Sequence, residues 1–133
     1  MNDLLQGDTA LITGAASGIG RGIVLALAHE GVRVVLSDNN AVNGQRVADD
    51  LNATGAQASF LHADLSSADG AERLIRETIS RLGQLSILVH SASPKREENQ
   101  TADTVTDEQW LAMTNVNLTS GFKLGRAAAQ HMR

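Results

Sequence analysis

Three times along this chain a helical pattern stops at a glycine, and each time a short aliphatic run follows within a few residues. The glycines are Gly31, Gly55 and Gly83; the runs are Val32–Leu36, Ala58–Leu61 and Leu85–Val89. Just past its last turn a helix often needs a left-handed residue, a conformation glycine takes with least strain. The apolar spacings agree. Ile19, Ile23 and Leu27 recur every four residues, as do Val47 and Leu51, and again Ala71, Ile75 and Ile79, which places each set on one helical stripe. Val32, Val34, Val35 and Leu36 form an almost continuous run, the mark of a strand buried on both faces. With Thr9–Thr13 read as a first strand, a helix from about Gly18, a second over 41–54 and a third over 67–82, the order is βαβαβαβ. Such alternation with short connections predicts a parallel, doubly wound α/β sheet of Rossmann type with right-handed crossovers. The expected strand order is 3-2-1-4, with a crevice between strands one and four.

From Pro94 to Asp107 the chain is polar and lacks apolar periodicity, as a surface loop does. A helix start then follows. Thr106 and Gln109 fit a capping box, and Val105 and Trp110 stand at the two ends of a hydrophobic staple. The last helix is expected to run on to the terminus through Met113, Val116, Ser120, Leu124 and Ala128.

Composition narrows the function classes. A length of 133 residues fits a single domain, and with only 2% aromatic residues its core must be aliphatic. The net charge is -4 and the arginines are scattered, which speaks against a nucleic-acid surface. Without cysteine there are no disulfides or thiolate ligands. His29, in the last turn of a helix, reads as a partner of the helix dipole; His62 and His131 have no partner at ligand spacing, so no metal site is expected. The N-terminus carries Asp3 and no basic stretch before an apolar one, unlike a secretory signal. No apolar run approaches a membrane span. A soluble, cytoplasmic chain is the expectation.

Between the first strand and first helix stands Thr13-Gly14-Ala15-Ala16-Ser17-Gly18-Ile19-Gly20. Gly14 permits a tight turn, Gly18 lets bare backbone approach a pyrophosphate, and Gly20 allows close packing of helix on strand. The helix then points free N–H groups at the phosphates. No Gly-Lys-Ser/Thr follows, so the loop is not a nucleoside-triphosphate cradle. Asp38 ends the second strand 18 residues beyond Gly20. Its carboxylate can accept from the adenosine ribose hydroxyls and would repel a 2′-phosphate, and Ser17 offers no compensating cation, so NAD is expected over NADP. A plain helix N-cap is the other account of Asp38, although Asn39 and Asn40 could serve instead. Asp64 closes the third strand, either at the adenine edge or as a turn residue. His90, Ser91 and Ser93 fall just past the fourth strand, where a cofactor-facing loop and a histidine satisfied locally are both open. Asn117 is a poor helix former in mid-helix, either tolerated with a local bend or facing a cleft.

These residues together resemble the short-chain dehydrogenase/reductase family along the whole chain. The likeness rests on the glycine loop, Asp38, Asp64 with Leu65, and Val116-Asn117-Leu118, in that order. It implies that Gly14, Ala16, Ser17, Gly18, Ile19 and Gly20 hold NAD(P), with Asp38 selecting NAD. It implies further that Asp64 and Leu65 contact adenine, that Ser91 and Ala92 line the cofactor, and that Asn117 supports a catalytic proton relay. After the fourth strand the family usually has Asn-Asn-Ala-Gly; here His90, Ser91, Ala92 and Ser93 stand there, and only the alanine is kept. The family's serine and Tyr-x-x-x-Lys pair follow beyond the last helix. This chain has no tyrosine, and its only lysines are Lys95 and Lys123. The resemblance therefore implies residues 1–133 as one cofactor-binding domain, incomplete at its C-terminus and inactive alone. The parent would be an oxidoreductase acting on a small alcohol or ketone. Non-catalytic nucleotide binding and self-association remain the alternatives, and the open apolar edge of strand four predicts a homo-oligomer.

Overall fold

Strand β1 (Thr9–Thr13) is buried along its whole length and sits inside a four-stranded parallel sheet of order β3-β2-β1-β4. The other strands are β2 (Arg33–Asp38), β3 (Ala58–His62) and β4 (Ile87–His90). The structure, a computed structural model, describes residues 4–95 and 97–132; Asp3, on which the reading of the N-terminus rests, lies outside them. Leu11 stands opposite Val35 on one side and Leu88 on the other. The strand order and direction are those the sequence predicts.

Side chains alternate across a strand, so each aliphatic run feeds two cores. Ala10, Ile12, Val34 and Leu36 face helices α1 (Gly18–His29) and α2 (Ala41–Ala53), meeting Val24, Ala28, Val47 and Leu51. Leu11 and Val35 face the other way. They pack with Leu74 and Ile75 of α3 (Gly70–Leu82) and with Leu124 and Ala128 of α5 (Ser120–His131). Full burial of one such aliphatic side chain stabilises the fold by roughly 1.5–3 kcal/mol. Gly31, Gly55 and Gly83 all have positive φ, as their place after the helices requires.

Three expectations need correction. Ile19 is 79% exposed. The buried stripe of α1 is Gly20, Val24 and Ala28, one residue on from the expected one, so that Ile23 and Leu27 lie at its flank, only partly buried, and Ile19 faces outward. Helix α3 starts at Gly70 rather than near Ser67. Ser67 is held in a turn, its hydroxyl and N–H both donating to the Asp64 carbonyl. The capping box at Thr106 and Gln109 is formed in both directions, and Val105 and Trp110 beside it are 38% and 66% exposed, on the surface rather than in the core. Finally, the last helix runs unbroken to His131 as expected but is not α-helical throughout. Helix α4 (Asp107–Thr114) passes into a π-turn at Asn115–Thr119 before α5 begins.

Among the described residues no strand pairs with the outer edge of β4, and all four of its residues are only half-buried. No helix is long and apolar enough to cross a membrane among these residues.

Candidate functional site

The carboxyl ends of β1, β2, β3 and β4 open on a cleft of about 270 Å³, whose lining includes Gly14, Asp38, Asp64, Leu65 and Ala92. Parallel strands point their carboxyl ends the same way, so residues distant in sequence arrive at one edge. Five of the expected site residues are thus brought together. Ser17, Gly18 and Ile19 are exposed at the start of α1, while Ala16 and Gly20 are buried behind them.

The first turn of α1 carries no acidic residue, and its N-cap Ser17 makes no side-chain capping bond. Its N–H groups and the positive end of its dipole are therefore free to meet an anion. Gly18 has φ +56, and a Cβ there would meet nothing within 4 Å. Gly14 has φ +65, and a Cβ there would stand 2.6 Å from the Ser91 carbonyl oxygen. Gly20 lies tighter still, with a Cβ position 2.0 Å from the Gly14 carbonyl oxygen. Gly14 and Gly20 are demanded by the fold, whereas the space before Gly18 is kept clear without any contact inside the chain requiring it. A pyrophosphate fits this cradle.

Asp38 is not the N-cap of α2. Asn40 is the N-cap of α2, accepting from the Asn43 N–H. The Asp38 carboxylate instead bridges two loops, accepting the Ala16 N–H at 3.0 Å and the Asn40 N–H at 2.9 Å. One lone pair on each oxygen remains for a ligand hydroxyl.

Asp64 accepts from the hydroxyl and, at 2.9 Å, the N–H of Ser66. The hydroxyl bond, then the backbone bond, holds its carboxyl below the ordinary carboxylate value; burial opposes this weakly and the charge of His62 assists. The folded group thus ionises more readily than the unfolded one. Its contribution is present above the unfolded pKa and is lost as pH falls through the folded value. Ser66→Ala is expected to move the Asp64 carboxyl titration, followed by carbon NMR, up toward its ordinary value. An unmoved titration would remove the Ser66 hydroxyl as the leading cause.

Two findings refine the sequence reading. Asn117 is exposed, does not line this cleft and lies within the π-turn, in keeping with the local bend. Val116 and Ala112, which were not assigned to the site, supply that wall. Ser91 reaches the site through its backbone: its N–H and that of Ala92 both donate to the buried Thr13 hydroxyl, at 3.1 and 3.2 Å. Thr13 was legible only as the first residue of the glycine loop.

The comparisons with known proteins agree with this geometry. A family profile described as "short chain dehydrogenase" matches residues 8–133. A hydroxynaphthalene reductase-like protein, Arp2, of Metarhizium guizhouense is 35% identical over 97% of this chain and 48% of its own length. The 3-oxoacyl-[acyl-carrier-protein] reductase FabG of Pseudomonas aeruginosa is 32% identical over 96% of this chain and 51% of its own. A short-chain dehydrogenase from Burkholderia cenocepacia, solved in complex with NADP, superposes with a TM-score of 0.89 at 31% identity, covering 96% of this chain and 52% of that one. The chain spans about half the length of the curated relatives it matches. With its four-stranded Rossmann-like sheet, its glycine loop and a profile match over nearly all its residues, the chain belongs to the short-chain dehydrogenase family.

Proposed function

We propose that these residues bind NAD along the carboxyl edge of the sheet and form the cofactor half of an NAD-dependent oxidoreductase acting on a small alcohol or ketone. The observation that carries this is the pairing of an open, unneutralised helix start at Gly18 with the Asp38 carboxylate on the adjoining cleft. Bound there, NAD supplies a hydride acceptor at its nicotinamide. The chain's own part is positioning. Gly14, Gly18 and the free N–H groups of α1 receive the pyrophosphate. Asp38 accepts from the ribose hydroxyls. Asp64 and Leu65 border the adenine, and Ser91 and Ala92 border the pyrophosphate and its nicotinamide side. Asn117 sits beyond the cleft in a π-turn, a helix irregularity common at functional sites; its place in a proton relay is part of this proposal.

Proton transfer to or from a substrate oxygen needs an acid–base group with a suitable pKa. A chain without tyrosine cannot provide the family's Tyr-x-x-x-Lys pair, so residues 1–133 by themselves are expected to bind without turnover. The unpaired edge of β4 favours association with further strands, in the same polypeptide or in a second copy. A cytoplasmic setting, suggested by the lack of cysteine, belongs to the same proposal. Titration calorimetry of the purified chain with NAD tests the reading. Saturable binding at one site is expected, with no NADH formed when an alcohol is added. Absence of saturable binding at millimolar NAD, or NADH formation by the chain alone, defeats it.

A further inference from the structure

His90 closes β4 and has a hydrogen-bond partner at each ring nitrogen. Nδ1 lies 2.8 Å from the Thr13 hydroxyl and Nε2 lies 2.9 Å from the Val116 carbonyl oxygen. The tautomer follows from the lone pairs. Thr13 Oγ1 already accepts the N–H groups of Ser91 and Ala92. A hydroxyl oxygen has two lone pairs, so its hydrogen must point at His90 Nδ1, and the ring proton resides on Nε2 and is donated to Val116. The Val116 carbonyl also accepts from the Ser120 hydroxyl, so side-chain donors meet both of its lone pairs. Side chains that insert into a helical ladder are a known cause of local irregularity, and Val116 is the second residue of the π-turn. Room for the ring is made by Gly121, where a Cβ would stand 2.9 Å from His90 Cδ2.

We infer that His90 is a positioning residue, a neutral clasp that holds the π-turn open and ties it to the Ser91–Ala92 loop. The inference deepens the dinucleotide reading and rests on it for its functional consequence. Val116 and Ala92 both line the cleft, and Gly14 packs against Ser91, so one imidazole sets the wall and the glycine loop relative to each other. No salt bridge involves the ring among the described residues; the clasp works by hydrogen bonds between neutral groups. Without it, the π-turn can relax to the regular ladder. That shift of one residue rotates the flanking helix by roughly 100° and carries Asn117 and Val116 away from their present places.

NMR on the nitrogen- and carbon-labelled, ligand-free chain tests the clasp directly. In mildly alkaline buffer the expected signature is a slowly exchanging His90 proton on Nε2, coupled through the hydrogen bond to the Val116 carbonyl, with Nδ1 bare. A proton on Nδ1, or one averaged between the two nitrogens, overturns the assignment. In His90→Leu, amide exchange at Ser91, Ala92 and the π-turn should quicken about tenfold while α2 keeps its protection, and the Kd for NAD should rise about tenfold. His90→Gln, whose amide offers the same donor and acceptor, should restore most of both. Exchange quickened evenly through the sheet, or an unchanged Kd in a chain whose π-turn has relaxed, sinks the positioning role. Failure of the unsubstituted chain to bind NAD would sink the dinucleotide reading instead, leaving the ligand-free signature to stand or fall separately.

Discussion

Gly18→Ala is expected to leave a folded chain that no longer holds NAD, whereas Gly20→Ala damages the fold itself. The two glycines are two residues apart, and the difference lies in what surrounds them. At Gly18 an added Cβ meets nothing within 4 Å. The only intramolecular cost is the positive φ of +56, about 1–2 kcal/mol for a residue with a side chain. A domain of this kind has a stability of about 5–15 kcal/mol, so it stays folded. The methyl group occupies the open space in front of the helix N-terminus, where a phosphate must come within hydrogen-bond distance of the N–H groups. Losing one or two bonds to a charged group at about 1.5–3 kcal/mol each amounts to a loss of affinity of roughly a hundredfold.

At Gly20 the added Cβ would stand 2.0 Å from the Gly14 carbonyl oxygen and 2.7 Å from its carbon. Both are backbone atoms, and Gly14 is itself wedged against Ser91 and Ala92, so no side chain can swing aside to relieve the clash. Overpacking of this sort costs about 3 kcal/mol or more, a fall in Tm on the order of 10 °C. Thermal unfolding by circular dichroism and calorimetric titration with NAD separate the two variants. Should Gly18→Ala bind NAD as tightly as the original chain, the pyrophosphate does not sit at this helix, and the proposed function loses its footing.

The layers of the fold were legible because they depend on local periodicity. Val32, Val34, Val35 and Leu36 are buried, as an almost continuous aliphatic run in a parallel sheet must be. Gly31, Gly55 and Gly83 have the left-handed conformation that their positions after helices demand. What escaped the sequence depends on partners far along the chain. The π-turn follows from a hydrogen bond between residues 26 apart, and Asn117, though visible as a misfit in a helix, could not disclose what bends it. Ile19 shows the opposite failure. It fits the apolar spacing of α1 yet is exposed, because spacing tells which residues share a stripe and not which of two adjoining stripes, here that of Gly20, Val24 and Ala28, is turned to the sheet. Asp38 was readable as a choice between capping and binding. The choice was settled for the helix by the Asn40 side chain, which accepts from Asn43, while the Ala16 bond was invisible because it crosses 22 residues.

That double tie makes Asp38→Asn the second large expected effect, on selectivity and stability at once. The carboxylate accepts two backbone N–H groups, one on each oxygen. An amide offers a single oxygen, so either Ala16 or Asn40 loses its acceptor and faces an NH2 group instead. Ala16 is buried; leaving its N–H unsatisfied costs about 1–3 kcal/mol. Selectivity shifts by a different route. With the carboxylate present, a 2′-phosphate would bring negative charge against negative charge. Two unit charges 4 Å apart repel by about 4 kcal/mol where the effective dielectric is near 20, and by about 1 kcal/mol in water. Asp38 is half-buried, between those limits, so the unsubstituted chain should prefer NAD by tenfold or more. Removing the charge removes the repulsion while also removing an acceptor for the ribose hydroxyls. Affinity for NAD should therefore fall, affinity for NADP should hold or rise, and their ratio should approach one. Salt supplies an internal control, since screening weakens the repulsion. The preference of the unsubstituted chain should narrow as ionic strength rises, and that of Asp38→Asn should not. An unsubstituted chain that binds NADP as well as NAD in low salt would show that some cation outweighs Asp38 at the ribose, and the assignment of NAD would be wrong.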